Sequence, residues 1–582
     1  MVAALLPYLA FQSDAYERRI LAELPVPGVA ASNTTAERLN FTPETEFAQA
    51  TVIPTARGFT AVQIRGTKRP PYPWGVEVSS PTNSADWKKD DVIFVSFEAR
   101  TLDSERPGDV GFISTHLQQA KAPWEQIGTL QGQIRPQWRR FAASFRLAKD
   151  WPAGTAALSW HLGHVRQSLE LGGVVFRNLG PLPAATKLPF TRIDYPGMEP
   201  SAPWRKEAAR RIERYRKGDL AIRVVRNGKP VANADVRVDM VRNAFEFGSF
   251  VESPLLEKSS DGERYRSTFR KMFNKVTVPM YWADWGWPYN RDQYLAFCDY
   301  FQREGVPMKA HVLIYPGWTF LPAALKGLPA EETRRKIFTH IDEKLAATRK
   351  YDFVSWDILN ELRDLNDLPP LLGETIYADI YKHAHRVDPR PIFYLNENTI
   401  LTHAGFTESQ QDTYESHLRK LISDGAPVEG IGFQGHFGDA VTGPETVWRI
   451  LDRFAKFRLP MQITEFDLNT DDEEGQAAYT RDFLTAIYAH PAMTGFTMWG
   501  FWEKSMWTPK GGFYRSDWSP KPNALAWDRL MRQWRTDATV RTGRDGEARI
   551  RAFTGSYRVR VGNVIRTLNL TTAGMKATII IK

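Results

Sequence analysis

The sequence predicts a multidomain protein in which a (β/α)8 barrel is flanked by an N-terminal β-sandwich and by a small β-sandwich assembled from two separated pieces. Three observations carry this expectation. The chain has 582 residues, too many for one hydrophobic core. Between about residues 245 and 534, eight short apolar runs alternate with helix-sized segments, the rhythm of a parallel barrel. On either side, the pattern reverts to short alternating strands punctuated by Gly, Pro and Asp, as in antiparallel sandwiches.

Residues 1–44 form a leading segment whose start, MVAALLPYLAFQSDA, is apolar but lacks a positively charged n-region. Residues 45–180 read as a jelly-roll β-sandwich with strands at Phe59–Ile64, Asp91–Ala99, Trp138–Phe145, Ala156–Leu162 and Leu169–Leu179. Trp138 and Trp160 lie inside those strand patterns and are expected in the core. Residues 181–218 comprise a Pro-rich linker, Pro181–Pro203, and a basic helix, Trp204–Lys217, whose Arg210, Arg211, Arg214 and Arg216 are expected on a solvated face. Residues 219–243 contain a hairpin signal around Asn227-Gly228, and residues 540–582 return to alternation in EARIRAF and SYRVRVG. Neither piece can bury a face alone. The two are expected either to close into one small split sandwich or to pack separately on the barrel.

The barrel is assigned to residues 244–539. Its strands are predicted at Phe245–Val251, Lys275–Tyr281, Met308–Tyr315, Phe353–Leu359, Ile392–Leu395, Gly430–Gln434, Met461–Phe466 and Gly495–Phe501. In the segment Glu332–Lys350, Ile337, Ile341 and Leu345 recur at helical spacing.

Composition narrows the class. A hydrophobic fraction of 42% and a charged fraction of 25% exclude a disordered or fibrous chain, and no apolar run is long enough for a membrane span. The single cysteine, Cys298, excludes an internal disulfide and a cysteine-built zinc site; it is expected to be buried in a helix over 290–305. The net charge of +9 is spread along the chain with no nucleic-acid motif, so no nucleic-acid partner is expected. The 19 Trp and 20 Tyr supply flat faces of the kind that stack on sugar rings, although most are expected in cores.

Functional side chains in such a barrel project from the C-terminal ends of the strands. Strand four ends in Trp356-Asp357-Ile358-Leu359-Asn360-Glu361, strand six in Gly432-Phe433-Gln434-Gly435-His436, strand seven in Ile463-Thr464-Glu465-Phe466-Asp467, and strand eight in Trp499-Gly500-Phe501-Trp502-Glu503. Two carboxylates at one mouth suit glycosidic bond cleavage, which needs an acid to protonate the leaving oxygen and a carboxylate at the anomeric carbon. Glu361 and Glu465 are the candidates. Glu397, after strand five, is expected to hold neighbours by hydrogen bonding, and Asp357 to point back into the barrel.

The segments WDILNEL, GIGFQGHF and ITEFDL, in this order and with the two glutamates 104 residues apart, resemble the motifs of glycoside hydrolase family ten, the endo-β-1,4-xylanase family. AHVLIY at 310–315, the pair Trp499 and Trp507, and YRSDWSPKP at 514–522 extend the resemblance over roughly residues 245–530. It implies a TIM-barrel catalytic domain and a retaining glycoside hydrolase acting on a β-1,4-linked polysaccharide, xylan or a decorated relative. By the same resemblance Glu361 is the acid/base and Glu465 the nucleophile, with carboxyl groups about 5–5.5 Å apart. Asn360 would hold the sugar 2-hydroxyl, Gln434 and His436 would orient the nucleophile, and Asp467 would hold His436 or a neighbouring donor. His311 would contact the reacting sugar, with Trp499 and Trp507 as its platform. No metal or cofactor is expected, because the carboxylates supply the proton and charge chemistry.

Departures from the family pattern concentrate on the glycone side. Pro279, Met280 and Ala283 stand where a Glu-Asn pair and a Lys are usual, Tyr315-Pro316 replaces a Trp-His pair, and Glu503 replaces a common Asp. Tyr281, Trp282, Trp285 and Trp287 are expected to rebuild that side. DVIFVSFEAR, PQWRRFAASF and LSWHLGHVRQSLELGGVVFRNLG resemble carbohydrate-binding modules of the four/nine type, with Tyr72, Trp74, Trp87 and Trp124 as candidate glycan contacts. The split pieces look like a carboxypeptidase-regulatory-type fold. Two other readings stand beside the hydrolase: a non-catalytic glycan-binding protein with a degenerate barrel, and a glycosidase of shifted specificity. A secreted or periplasmic location is expected, and the apolar start reads equally as a trimmed signal, a cytosolic start or a packed terminal segment. The sugar, its linkage, endo or exo action and the oligomeric state are left open.

Overall fold

The computed structural model describes residues 15–43 and 46–582; the apolar start of the chain lies outside them. The chain folds as two compact units, one of residues up to 195 with 438–441, the other of 196–437 with 442–582.

The first unit is a sandwich of two antiparallel sheets. One sheet runs Ala48–Pro54, Thr60–Gly66, Gln167–Pro181, Asp91–Ser104, Arg139–Arg146, with Val29–Ala30 also paired to Gln167–Pro181; the other runs Asn40–Pro43, Val76–Ser79, Ala156–His161, Gly111–Gln119, Gln126–Ile134. Alternate residues such as Ile93, Val95 and Phe97 on one sheet, and Ile113, Leu117, Leu158 and Trp160 on the other, fill the core between them, as the two-residue period of a strand requires. The strands Val29–Ala30 and Asn40–Pro43 draw part of the leading segment into the sandwich. Trp87, expected as an exposed loop aromatic, is buried at 1% exposure: its backbone bridges to Trp151 and its ring meets Phe176 edge-on at 5.8 Å. The Pro-rich stretch is not a free tether, since Thr191 exchanges hydrogen bonds with Ala142.

The second unit opens with the helix Trp204–Tyr215. Its basic face is only partly solvated. Arg205 grips Asp482 with two nitrogens at 2.7 and 2.6 Å, and Arg216, expected in solvent, is buried. The Arg216 guanidinium donates to the carbonyls of Tyr488, in the last turn of the helix Glu473–Ala489, and of His490 and Met493, which follow it. A small sandwich follows, in which strands from before and after the barrel interleave. Lys217–Arg226 pairs with Glu547–Phe553 and, in parallel, with Met575–Ile581; Asp235–Asn243 pairs with Asp537–Arg541 and Gly555–Val561. Asn227 and Gly228 both have positive φ, 49° and 76°, as a tight two-residue hairpin turn demands.

Between these pieces the barrel closes from eight parallel strands: β1 (Glu246–Phe250), β2 (Lys275–Pro279), β3 (Met308–Ile314), β4 (Phe353–Asn360), β5 (Ile392–Glu397), β6 (Gly430–Phe437), β7 (Met461–Leu468) and β8 (Met493–Met498). Around it run α1 (Ser260–Met272), α2 (Trp287–Glu304), α3 (Ala330–Thr348), α4 (Ile376–Val387), α5 (Glu408–Ser423), α6 (Pro444–Ala455), α7 (Glu473–Ala489) and α8 (Pro522–Gln533). Cys298 is buried in α2. β8 stops before Trp499 because Gly500 takes φ +98°, which a strand cannot absorb, so Trp499–Glu503 form the loop beyond it. The barrel interior is polar at its base, where Lys275 pairs with Glu246 and Gln462 donates to Glu246 at 2.6 Å. Above them Lys309 pairs with Asp357 at 2.6 Å. Among the described residues no helix is long and apolar enough to cross a membrane.

Candidate active site

Two pairing irregularities set the site at the C-terminal mouth. In β4 the register to β5 skips Ile358, bringing Asn360 opposite Asn396; in β7 the register to β6 skips Thr464, bringing Glu465 opposite Gln434. Such shifts re-aim side chains that strict alternation would turn outward. As a result Thr464 and Glu465, neighbours in sequence, both reach Asn396: the Thr464 hydroxyl donates to its Oδ1 at 2.6 Å, and its Nδ2 donates to Glu465 Oε1 at 2.8 Å. Gly432 makes room for this amide, because a Cβ there would lie 2.5 Å from Asn396 Oδ1. Glu361 follows β4 at φ +56°, an uncommon conformation for a residue with a side chain, held by its N–H donating to the Asn396 carbonyl at 3.0 Å.

The two glutamates are bound into one network. Gln434 Nε2 donates to Glu361 Oε1 at 2.7 Å and to Asn360 Oδ1 at 3.3 Å; Asn360 Oδ1 also accepts from Asn396 at 2.8 Å. Glu465 is 3% exposed, and its second oxygen lies 3.0 Å from His436 Nε2, whose Nδ1 lies 2.9 Å from Asp467. Burial alone would lower the pKa of His436, but the Asp467 and Glu465 carboxylates outweigh it and push it up to about 10. The ring is therefore an imidazolium at neutral pH and donates from both nitrogens. Asp467 also accepts from the Trp507 indole at 2.8 Å. His311 Nδ1 lies 2.9 Å from Asp357, inside the barrel, and 3.8 Å from Glu465. The Tyr315 hydroxyl hydrogen-bonds Glu361; burial first, then that carboxylate, raise its pKa.

These groups border a cleft of about 460 Å³ lined by Tyr281, Trp285, His311, Tyr315, Phe320, Asn360, Glu361, Asn398, Thr399, Gln434, His436, Glu465, Trp499 and Trp507. Asp467 stands behind His436. Two expectations are corrected. Gln434 holds Glu361 rather than Glu465, because its amide reaches across to β4; Asn396, missed in the sequence, holds Glu465 instead. Trp282 and Trp287 do not line the cleft. Trp282 is stacked on His340 of α3 at 3.9 Å and 9°, and Trp287 opens α2 as a buried residue. Glu397 is buried away from the cleft, its oxygens accepting the N–H groups of Asn398 and Arg363 at 3.0 and 3.2 Å; burial raises its pKa to about 8 against those bonds. Glu503 accepts from the Ser516 N–H at 3.1 Å. Among the described residues no group of three or more His, Cys, Asp or Glu is placed to hold a metal ion. In the first unit, Tyr72 and Trp74 are exposed and stacked on each other at 5.0 Å and 6°, and Trp124 is exposed.

Residues 238–533 match the family described as Glycosyl hydrolase family 10. Among curated proteins, an anti-sigma-I factor, RsgI6, of Acetivibrio thermocellus is 28% identical over 378 residues, 63% of this chain and 48% of that protein. Endo-1,4-beta-xylanase 1 of Arabidopsis thaliana is 23% identical over 368 residues, 61% of this chain and 38% of that protein. The chain thus spans less than half the length of these two relatives. Of solved structures, xylanase 10B from Thermotoga petrophila RKU-1 in complex with xylobiose aligns with a TM-score of 0.44 at 22% identity, covering 50% of this chain and 94% of that one.

Proposed function

The chain belongs to glycosyl hydrolase family 10, and on that premise we propose that it is a retaining glycoside hydrolase that cleaves a β-1,4-linked polysaccharide, xylan or a decorated relative, by double displacement. Glu361 is the acid that protonates the leaving oxygen, and Glu465 is the nucleophile that bonds to the anomeric carbon. Glu361, then ionised, takes a proton from the water that releases the sugar. Asn360 holds the 2-hydroxyl, His311 contacts the reacting ring, and Trp499 and Trp507 form its platform.

The observation that carries this reading is that each Glu465 oxygen has its own donor, Asn396 and the His436 imidazolium. Donors fixed in advance hold a buried carboxylate in one aim. A site that only binds sugar has no need of a buried carboxylate held in this way. The test is a polysaccharide panel with reducing-sugar readout. Release from a β-glycan by the wild type, lost in Glu361→Gln and Glu465→Gln with binding retained, supports the reading; binding without release across the panel contradicts it.

A second reading, a barrel that binds a glycan without cleaving it, is favoured by Pro279, Met280 and Ala283 at positions where the family carries polar groups. The same panel separates the two. We read the N-terminal sandwich as a glycan-binding module of the four/nine type, with Tyr72 and Trp74 as a stacking surface and Trp124 as a further contact. The full-length Trp74→Ala chain should then be retained less on insoluble polysaccharide than the wild type, and equal retention would reject that surface. A polymer that cannot cross a membrane requires an enzyme outside the cytoplasm, secreted or periplasmic, which cell fractionation reads.

A further inference from the structure

The loop between β2 and α2, Met280–Gly286, forms one wall of the cleft, and it offers that wall almost no hydrogen-bonding side chains. Met280 and Ala283 are buried, and Trp282 faces His340. The one charged member, Asp284, turns its carboxylate to the N–H of Ala323 at 3.0 Å. What remains toward the cleft is aromatic: Tyr281, which meets His311 edge-on at 5.4 Å, and Trp285, which packs on Tyr281 at 5.0 Å and 48°.

The loop is built to hold those rings still. Lys344, fully buried on α3, donates to the Met280 carbonyl at 2.5 Å. The Tyr281 carbonyl accepts from the Trp287 N–H at 2.6 Å, and Asn290 Nδ2 donates to the Trp285 carbonyl at 2.6 Å. Gly286 has no substitute there, since a Cβ would lie 2.4 Å from the Tyr281 oxygen. Yet the Trp285 indole, at the end of this clamped loop, is left 50% exposed. A large aromatic fixed by its backbone but left uncovered in the cleft that holds the two carboxylates has an unfilled face, and aromatic faces gain most when an apolar surface closes on them.

We propose that Trp285 and Tyr281 form a glycone-side sugar subsite that recognises a pyranose by the apolar faces of its ring rather than by its hydroxyls. The ligand class is a β-linked pyranoside with all hydroxyls equatorial, whose C–H groups make two flat apolar faces. An axial hydroxyl would lift the ring from the indole. Xylo- and gluco-configured units are therefore accepted with similar affinity, and manno- and galacto-configured units are disfavoured. This inference rests on the reading of the cleft as a glycosidase site, and deepens it.

The test uses the full-length chain with two readouts. Isothermal titration with xylo- and cello-oligosaccharides, run on the Glu361→Gln variant so that nothing is consumed, reads binding apart from turnover. Trp285→Ala in that background should weaken binding of the tetrasaccharide by about tenfold, and Trp285→Tyr should recover most of it. In the otherwise wild-type enzyme, Trp285→Ala should lower kcat/KM for tetra- and pentasaccharides by a similar factor, and by a smaller factor for an aryl β-xyloside, which fills only the subsite beside the carboxylates. Oligosaccharide affinity unaffected by Trp285→Ala, or a gluco-configured series bound more than a hundredfold less tightly than the xylo series, overturns the subsite. Binding that depends on Trp285 in a protein whose wild type releases no sugar upholds the subsite while removing the hydrolase reading.

Discussion

The side-chain amide of Asn396 donates to Glu465 Oε1 at 2.8 Å and, at the same distance, to Asn360 Oδ1. One nitrogen thereby ties β7 to β4, and through Asn360 and Gln434 the link continues to Glu361. The carboxylates assigned to opposite halves of the reaction are spaced by three amides rather than by independent supports.

Asn396→Ala removes one of the two donors on Glu465. A hydrogen bond to a charged group contributes about 1.5–3 kcal/mol, so kcat should fall about 10- to 100-fold, with KM for short substrates changed little. Steady-state kinetics on the polysaccharide found in the panel check this. An Asn396→Ala enzyme with wild-type kcat would remove Asn396 from the machinery.

Gly432→Ala acts on the same amide from the other side. The new methyl would meet Asn396 Oδ1 at 2.5 Å and Thr464 Cγ2 at 2.9 Å, so the amide must move. Overpacking of this kind costs about 1–3 kcal/mol. Thermal unfolding should shift down and kcat should fall together; loss of stability with activity intact would place the strain elsewhere.

His436 makes stability depend on pH. Its folded-state pKa is raised to about 10 from an unfolded value near 6.5, so the native state binds this proton more tightly. The stabilisation is complete below about pH 6.5 and is lost as pH rises toward 10. The difference in denaturant midpoint between wild type and His436→Gln should be flat in acid and shrink steadily through the alkaline range. A difference that grows with pH would contradict the imidazolium.

Arg216→Met leaves the carbonyls of Tyr488, His490 and Met493 without their donor beneath the barrel. Uncapping buried acceptors should destabilise by about 2–4 kcal/mol. Because the site lies at the opposite mouth, kcat measured well below the unfolding transition should stay within about twofold. Chemical denaturation and kinetics on the same sample read both.

Much of this arrangement was legible in the sequence, and the misses have particular causes. A polar residue closing an apolar β run is visible without coordinates, which is why Glu361, Gln434, His436 and Glu465 stand out. Asn396 also closes such a run, but Glu397 beside it carries the more conspicuous chemistry. Nothing in the sequence shows that Glu397 is buried away from the cleft and Asn396 faces inward. The exchange between Gln434 and Asn396 turns on the skipped residues Ile358 and Thr464, and a one-residue slip in pairing reverses a side chain without any signature in composition. Trp87 and Trp282 read as loop aromatics because their partners, Phe176 and His340, are 89 and 58 residues away. Arg216 sits in a basic run in which no local feature separates a buried guanidinium from a solvated one.

The central claim, nucleophilic attack by Glu465 followed by release through Glu361, is tested most directly by the anomeric configuration of the first product. Proton NMR during the opening minutes of hydrolysis of a β-1,4-linked oligosaccharide should show the β-anomer appearing first, with the α-anomer growing in only by mutarotation. An α-anomer appearing first would mean a single displacement by water, and Glu465 would no longer be the group that bonds to the sugar.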